Sequence, residues 1–202
     1  MRNLLSAVIM TALFFSASAA NAAVTTLGGT KIVVSAVASE KSFTLFVDEV
    51  GPSTVEVKLE AVDGTNLLTE TVKGGKSFSK KYVLSNLPEG TYFLTLTKGA
   101  VSTIQTLEVT EKAVIVDKDE VKKFAPVFSL KGTDKLDVNA LLNNVSKVAV
   151  SFLDNDSNVV FEKTFGDALA FHERFDIAKL APGAYTVEVK AGTDTYFYSF
   201  TK

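Results

Sequence analysis

The segments 87-LPEGTYFLTL-96 and 180-LAPGAYTVEV-189 decide how this sequence folds, because they are two copies of the same structural element. In each, a turn containing Pro and Gly leads into a strand with apolar residues at alternate positions. The same offset of 93 positions lays residues 31–109 on residues 124–202 without a gap. Few residues are identical, so the agreement rests on turns and apolar spacing. A repeat of this period predicts two copies of one small domain.

Each copy contains seven short β-rich segments bounded by Gly, Pro, Asn or Asp. In the first copy these are Lys31–Val37, Ser42–Val47, Val55–Ala61, Leu67–Val72, Phe78–Leu84, Thr91–Thr97 and Thr103–Val109. Alternation places Val55, Val57 and Leu59 on one face of a strand, which favours an antiparallel sheet with one solvated face. The predicted fold is therefore all-β, with two tandem immunoglobulin-like, seven-stranded Greek-key β-sandwiches.

The start of the chain has the features of a secretory signal peptide, which we place at Met1–Ala22. Arg2 supplies the positive charge, Leu4–Phe15 is mostly apolar, and Ala20-Asn21-Ala22 is a small-residue cleavage pattern. The mature chain is expected to begin at Ala23; an uncleaved anchor is the alternative. The sequence thus predicts export to the periplasm, the cell surface or the extracellular space.

The exported chain divides into four predicted segments. Residues 23–30 contain Gly28-Gly29 and are expected to form a flexible segment at its start. The first sandwich is placed at residues 31–111 and the second at residues 124–202. Residues 112–123 between them are charged and poor in glycine, which predicts a restrained linker.

Composition excludes several classes of function. A net charge of −2 gives no reason to expect nucleic acid or an anionic membrane as a partner. The absence of Cys and the single His172 remove disulfides, zinc–thiolate sites and thiol catalysis. His172 is expected to face solvent from the fifth strand. With no nucleophile elbow, phosphate loop or dinucleotide fingerprint, we predict neither catalytic residues nor a cofactor.

Four residues around the repeated turns are predicted to be structural. Tyr92 and Tyr185 begin the sixth strand of each copy, where immunoglobulin-like domains place a tyrosine whose hydroxyl bonds back to the preceding turn. Gly90 and Gly183 stand two residues earlier and are candidates for a positive φ.

The loop Asp154-Asn155-Asp156-Ser157-Asn158 is the one weak candidate for a metal site. Asp154, Asp156 and Asn158 carry side-chain oxygens at alternate positions, as calcium requires. The loop has neither the Gly nor the distal Glu of an EF-hand, and its counterpart Asp63-Gly64 is an ordinary turn. We therefore interpret it as a hairpin turn, with calcium as the alternative.

The last strand carries aromatic residues on both faces. Alternation sends Tyr196, Tyr198 and Phe200 to one face and Phe197 to the other. We note the first three as candidates for an interaction surface near a sheet edge. The alternative is an aromatic strand buried under a neighbouring domain.

Four stretches of the sequence together resemble a known family. They are the pattern Leu-Pro-x-Gly-x-Tyr-x-Leu-x-Leu at Leu87–Leu96, Phe152-Leu153-Asp154, Val159-Val160-Phe161 and Leu180–Val189. They resemble the immunoglobulin-like C-terminal sorting domains of the bacterial type IX secretion system, and small exported immunoglobulin-like proteins of Bacteroidetes. The resemblance covers Lys135–Lys202 best and Phe43–Val109 less well. It implies an exported β-sandwich protein from that kind of bacterium.

Three functions are consistent with these observations. The first is an exported, non-catalytic structural or protein-interaction module of the bacterial envelope or extracellular space. The second is secretion: residues 124–202 would be a sorting signal that the transport machinery recognises. The third is carbohydrate binding through the rings of Tyr196 and Tyr198. The predicted partners are accordingly a protein, secretion machinery or, more weakly, a carbohydrate, with no membrane span in the exported chain.

Overall fold

The computed structural model describes residues 21–48, 51–73, 75 and 77–202, which form fourteen β-strands and no helix. The strands are β1 Ala22–Leu27, β2 Thr30–Ala36, β3 Ser42–Val47, β4 Val55–Ala61, β5 Asn66–Val72, β6 Phe78–Val83, β7 Gly90–Lys98, β8 Val101–Val109, β9 Val114–Phe124, β10 Val127–Lys131, β11 Lys135–Leu153, β12 Val159–Asp176, β13 Ala184–Ala191 and β14 Asp194–Thr201. The predicted all-β class is confirmed. No segment within these residues forms a helix able to cross a membrane.

The first half of the chain folds into two antiparallel sheets that share one apolar core. One sheet has the strand order β1-β2-β3-β6 and the other β5-β4-β7-β8-β9. Alternate residues of each strand point into the core, as Phe43 and Leu45 do from β3 and Leu94 and Leu96 do from β7. These four side chains are fully buried. The alternating apolar residues of both sheets therefore point into the shared core.

The second half repeats the strand register of the first at the offset of 93 residues. Phe43 pairs with Tyr82 between β3 and β6, and Leu136 pairs with Phe175 between β11 and β12. Its sheet has the order β10-β11-β13-β14, with β12 also on β11. The second half has its own hydrophobic core, separate from that of the first half, and Phe152 lies at its centre.

The two halves differ in how the chain passes between sheets. In the first half β3 and β4 are separate strands, and a turn at Gly51 and Pro52 lies between them, with Gly51 at a φ of +67°. Pro lacks a backbone donor and Gly reaches positive φ, so this pair breaks the strand. The counterparts Asn144 and Val145 continue β11 through a register shift between Leu141 and Ser146. The second half therefore has two long strands, β11 and β12, where the first half has four.

Residues 23–30 differ from the prediction of a flexible segment. They form β1 and a tight turn into β2, in which Gly28 and Gly29 adopt φ values of +52° and +81°. Two consecutive positive φ values suit the turn of a two-residue hairpin. Alternate β1 residues are buried, ending at Leu27. Of the predicted signal peptide Met1–Ala22, only Asn21 and Ala22 belong to the described residues.

Residues 112–123 also differ from the prediction of a linker. Most of them belong to β9, which pairs along the outer edge of β8. Val114 and Val116 are buried in the first core, whereas the charged residues between them and Phe124 are largely exposed. The first half thus has two more strands, β1 and β9, than the seven predicted.

The two halves meet through a short contact at the end of β9. The Ala125 N–H donates to the Ala100 carbonyl at 2.7 Å. Lys123 Nζ lies 2.8 Å from Asp194 Oδ1 at the start of β14. Both ionic groups are partly exposed, so this ion pair contributes little to the stability of the contact.

Candidate interaction sites

The repeated turns are held by tyrosine hydroxyls at the same place in both halves. Tyr92 Oη donates to the Pro88 carbonyl at 2.9 Å, and Tyr185 Oη donates to the Ala181 carbonyl at 2.9 Å. Both rings are buried in their respective cores. Each hydroxyl thereby satisfies a carbonyl of the turn that precedes its strand, which is the geometry of a tyrosine corner.

We expect Tyr92→Phe and Tyr185→Phe each to lower the free energy of unfolding by about 0.5–1.5 kcal/mol, the net value of one hydrogen bond. The ring stays buried, so the substitution removes the hydroxyl and little else. Urea denaturation of the two variants measures the effect. Urea unfolding curves identical to that of the wild type would show that these hydroxyls do not stabilise the turns.

The glycines of these turns are not equivalent. Gly90 has a φ of +149°, whereas Gly183 lies outside the positive region. A Cβ at Gly90 would meet no neighbouring atom within 4 Å, and one at Gly183 would meet only Tyr185 Cε2 at 3.9 Å. Space is therefore available at both positions, and only the backbone of Gly90 requires glycine.

We expect Gly90→Ala to destabilise the chain by about 1–3 kcal/mol, because alanine is strained at this φ. The matched control, Gly183→Ala, should change the free energy of unfolding by less than about 0.5 kcal/mol. Chemical denaturation of both variants provides the comparison. Equal losses at the two sites would contradict the difference in backbone conformation.

The oxygens of Asp154 are used within their own turn. Its Oδ1 accepts hydrogen bonds from the backbone N–H groups of Asp156 and Asn158, both at 2.9 Å, and its Oδ2 accepts from Asn158 Nδ2 at 3.2 Å. The bonds from Asn158 hold the pKa of this carboxyl below its usual value. Ser157 has a φ of +64°, as a tight turn requires. Among the residues described, no group of three or more His, Cys, Asp or Glu side chains is placed to hold a metal ion.

The pairing of β11 with β12 brings together a polar pair that is not evident from the sequence. Arg174 Nε and Nη2 donate to Asp137 Oδ1 and Oδ2 at 2.6 and 2.8 Å. The guanidinium lowers the pKa of Asp137. On the neighbouring pair, His172 is exposed and its Nδ1 is hydrogen-bonded to Asn139 Oδ1. Cross-strand partners depend on register, which the sequence alone did not show for two such distant segments.

An apolar cleft occupies the same place in both halves. In the first half it measures about 190 Å³, and its apolar lining includes Leu59, Leu67, Leu68, Tyr82, Leu84 and Leu87. In the second half it measures about 490 Å³, and the residues 93 positions further on line it: Phe152, Val160, Phe161, Phe175, Ile177 and Leu180. Leu67 and Phe161 remain more than one-third exposed. A cleft that recurs with its lining is a feature of the fold, and its exposed apolar walls could contact a partner.

Each cleft is flanked by an ion pair, and the charges are reversed between the halves. In the first half Lys80 Nζ lies 2.5 Å from Glu70 Oε2, to which Tyr82 Oη also donates at 3.2 Å. In the second half Lys163 and Glu173 occupy the positions of Glu70 and Lys80, with Nζ 3.7 Å from Oε1. The hydrogen bond from Lys80 lowers the pKa of Glu70, while burial raises that of Tyr82.

The aromatic face chosen from the sequence of the last strand is the inner one. Phe200 is buried, and Tyr196 and Tyr198 pack against the second core, Tyr198 stacking on Phe128 at a centroid distance of 4.8 Å. Phe200 is therefore covered by the core, whereas Tyr196 and Tyr198 are only partly buried, and an interaction through these two residues stays a prediction. Phe197, on the opposite face, is 65% exposed. Alternation separated the two faces correctly but did not identify which of them covers the core.

Three solved structures were matched to most of the length of this chain. The biofilm-associated protein BSP domain gives a TM-score of 0.29 at 18% identity, covering 80% of this chain and 27% of that one. Two fibronectin type III domains of chicken tenascin give 0.30 at 13% identity, covering 85% and 96%. A β-D-glucuronidase from Dictyoglomus thermophilum gives 0.26 at 14% identity, covering 84% and 36%. No curated protein matches the sequence.

A family model, in contrast, matches a defined part of the sequence. The match covers residues 38–110, from the turn before β3 to the end of β8. It falls in the first half, whereas we predicted the better resemblance in Lys135–Lys202. The predicted family resemblance itself is confirmed: residues 38–110 of this β-sandwich chain are similar to the secretion system C-terminal sorting domain.

Proposed function

We propose that this chain is an exported, non-catalytic protein-interaction module, and that its first half takes part in type IX secretion sorting. The observation that carries the proposal is the match of residues 38–110 to a sorting-domain family. Residues 124–202 are the sorting signal predicted from the sequence; the family match favours the first half instead. The cell surface or the extracellular medium is the destination that a sorting role implies.

The first cleft is the surface that we propose for recognition. It lies entirely within the matched segment, and its rim exposes Leu67 and Val83, which are 39% and 66% exposed. Binding of a partner that removes exposed aliphatic side chains from water is favourable by about 25 cal/mol per Å² of apolar surface buried. The Glu70–Lys80 pair at its side would orient such a partner.

The test follows the full chain in a bacterium that has a type IX system and in an isogenic strain that lacks the outer-membrane secretion channel. Quantitative immunoblots measure the chain in the periplasm, on the surface and in the medium. We expect the chain to be found on the surface and in the medium of the parent strain. In the mutant strain we expect it to accumulate in the periplasm. An identical distribution in both strains would overturn the sorting role and leave only the interaction module, in whichever compartment the chain is found.

A pair of variants tests the cleft separately. Leu67→Asp places a charge on the cleft rim, and we expect it to shift most of the chain to the periplasm of the parent strain. Val62→Asp is the matched control, because Val62 is 65% exposed in the neighbouring turn and does not line the cleft. Thermal melting of both purified variants verifies folding. Normal delivery of a folded Leu67→Asp chain would exclude the cleft as the recognition surface.

A further inference from the structure

We propose that the outer edge of β14 binds an extended strand of a protein partner in antiparallel orientation, as β9 covers the edge of β8 in the first half. The partner strand would have the chemistry of β9, with an aliphatic side chain placed beside Phe197. The inference concerns the second half of the chain and does not depend on the sorting role of the first.

The backbone of β14 has one side free for such pairing. Gly183 and Lys202 exchange both backbone hydrogen bonds, at 3.4 and 2.9 Å, and pairs of this kind alternate along an antiparallel ladder. The N–H and C=O groups of every second residue therefore point away from β13: Thr195, Phe197, Ser199 and Thr201. Within the described part of the chain, β14 pairs with β13 alone and stands at the end of its sheet.

The first half shows which kind of strand pairs with the corresponding edge. Strand β8 is the counterpart of β14 at the offset of 93 residues, and it carries β9 on the corresponding side. There Ile104, the counterpart of Phe197, is paired with Val121 of β9. Because Phe197 lacks such a neighbour and is 65% exposed, a strand beside it would bury an aromatic ring against an aliphatic side chain.

The side chains along this edge do not protect it from pairing. Residues 195–201 read TYFYSFT and contain neither charge nor proline. Edge strands that avoid other chains usually carry Lys, Pro or a bulge. The outward residues Thr195, Phe197, Ser199 and Thr201 are all exposed. The one ionic group of the strand, Asp194, is already paired with Lys123 at the end nearest the first half.

The strand pairing at the corresponding edge of β8 joins two different sequences, which is why we commit to a strand with the pattern of β9 rather than to a second copy of β14. In β9 the residues paired with the outward positions Ser102, Ile104 and Glu108 of β8 are Lys123, Val121 and Ile115. The matching partner would set an aliphatic residue opposite Phe197 and turn alternate backbone groups toward β14.

The probe is a fluorescent synthetic peptide of residues 112–125, titrated with the purified full chain while fluorescence anisotropy is recorded. We expect saturable binding. Phe197→Lys should weaken it at least tenfold, because it removes the aromatic contact and charges the edge. The matched control is Thr186→Lys, which adds the same charge to the same face on β13 but leaves the edge of β14 unchanged. Both variants should melt within a few degrees of the wild type.

Peptide chemistry separates strand pairing from apolar adsorption. N-methylation at the positions of Val121 and Lys123 removes donors that would face β14 and should abolish binding, whereas N-methylation at Lys122, which faces away, should not. Absence of binding, or equal binding to Phe197→Lys, would overturn the proposal. So would a dimer, detected by sedimentation, that Phe197→Lys dissociates and the peptide does not, because the occupant would then be a second copy.

Discussion

Replacement of Phe152 by alanine should lower the free energy of unfolding of the second half by about 3–5 kcal/mol. The side chain is buried, and its ring makes edge contacts with Phe161, Phe175 and Phe200 at centroid distances of 5.4, 5.3 and 6.3 Å. Truncation would therefore open a cavity among three rings rather than remove one contact. This is the largest effect that we expect from a single substitution.

The matched control for this prediction is Phe197→Ala, which deletes the same atoms from a residue that is 65% exposed. It should change the free energy of unfolding by no more than about 0.5 kcal/mol. Differential scanning calorimetry adds a second measurement, because the two halves have separate cores. Phe152→Ala should lower one transition, and Leu94→Ala, in the first core, should lower the other. A single transition that both variants lower equally would show that the halves unfold together.

The second large effect is expected at Gln105, a fully buried polar residue of β8. Its Nε2 donates to the carbonyls of Asp117 and Asp119, the latter at 3.1 Å. At this point the register shifts, so that Gln105 pairs with Glu120 and Leu107 with Val116. Residues 117–119 therefore bulge out of the ladder, and the amide of Gln105 supplies the donors that their carbonyls lack.

Gln105→Leu should cost about 1–3 kcal/mol, because it leaves two carbonyls of the bulge without their partly buried donor. Amide hydrogen exchange should accelerate along β9 and little elsewhere in the first half. The control is Thr106→Val, which alters the adjacent, partly exposed residue and should change stability by less than about 0.5 kcal/mol. Equal costs for the two variants would show that the amide does not hold the bulge.

The fold was most predictable where local chemistry alone determines it. The turn before Tyr92 and the alternation of Val55, Val57 and Leu59 carry their cues within a few residues, and both strands are present. Strand β9 carries no such cue, because its charged residues 117–120 lie in and beside a bulge that needs Gln105 of another strand. Its extended form depends on pairing with β8, which sequence periodicity does not report.

The candidate surfaces were less predictable than the fold. The direction of Phe197 depends on which face of β14 covers the core, and a strand with aromatic residues on both faces does not reveal it. The Asp137–Arg174 pair and the second cleft form where β11 and β12 come together. The first cleft forms where β4 and β5 meet β6. These are contacts between distant segments, so they required the structure.

The reversed ion pairs beside the clefts have a consequence for folding. Two similar sandwiches in one chain can exchange strands while they fold, a characteristic failure of repeat proteins. If β6 took the place of the end of β12 in the second half, Lys80 would meet Lys163 instead of Glu70. The reciprocal exchange would set Glu173 against Glu70. Correct pairing joins opposite charges in both halves, whereas either exchange would place like charges side by side.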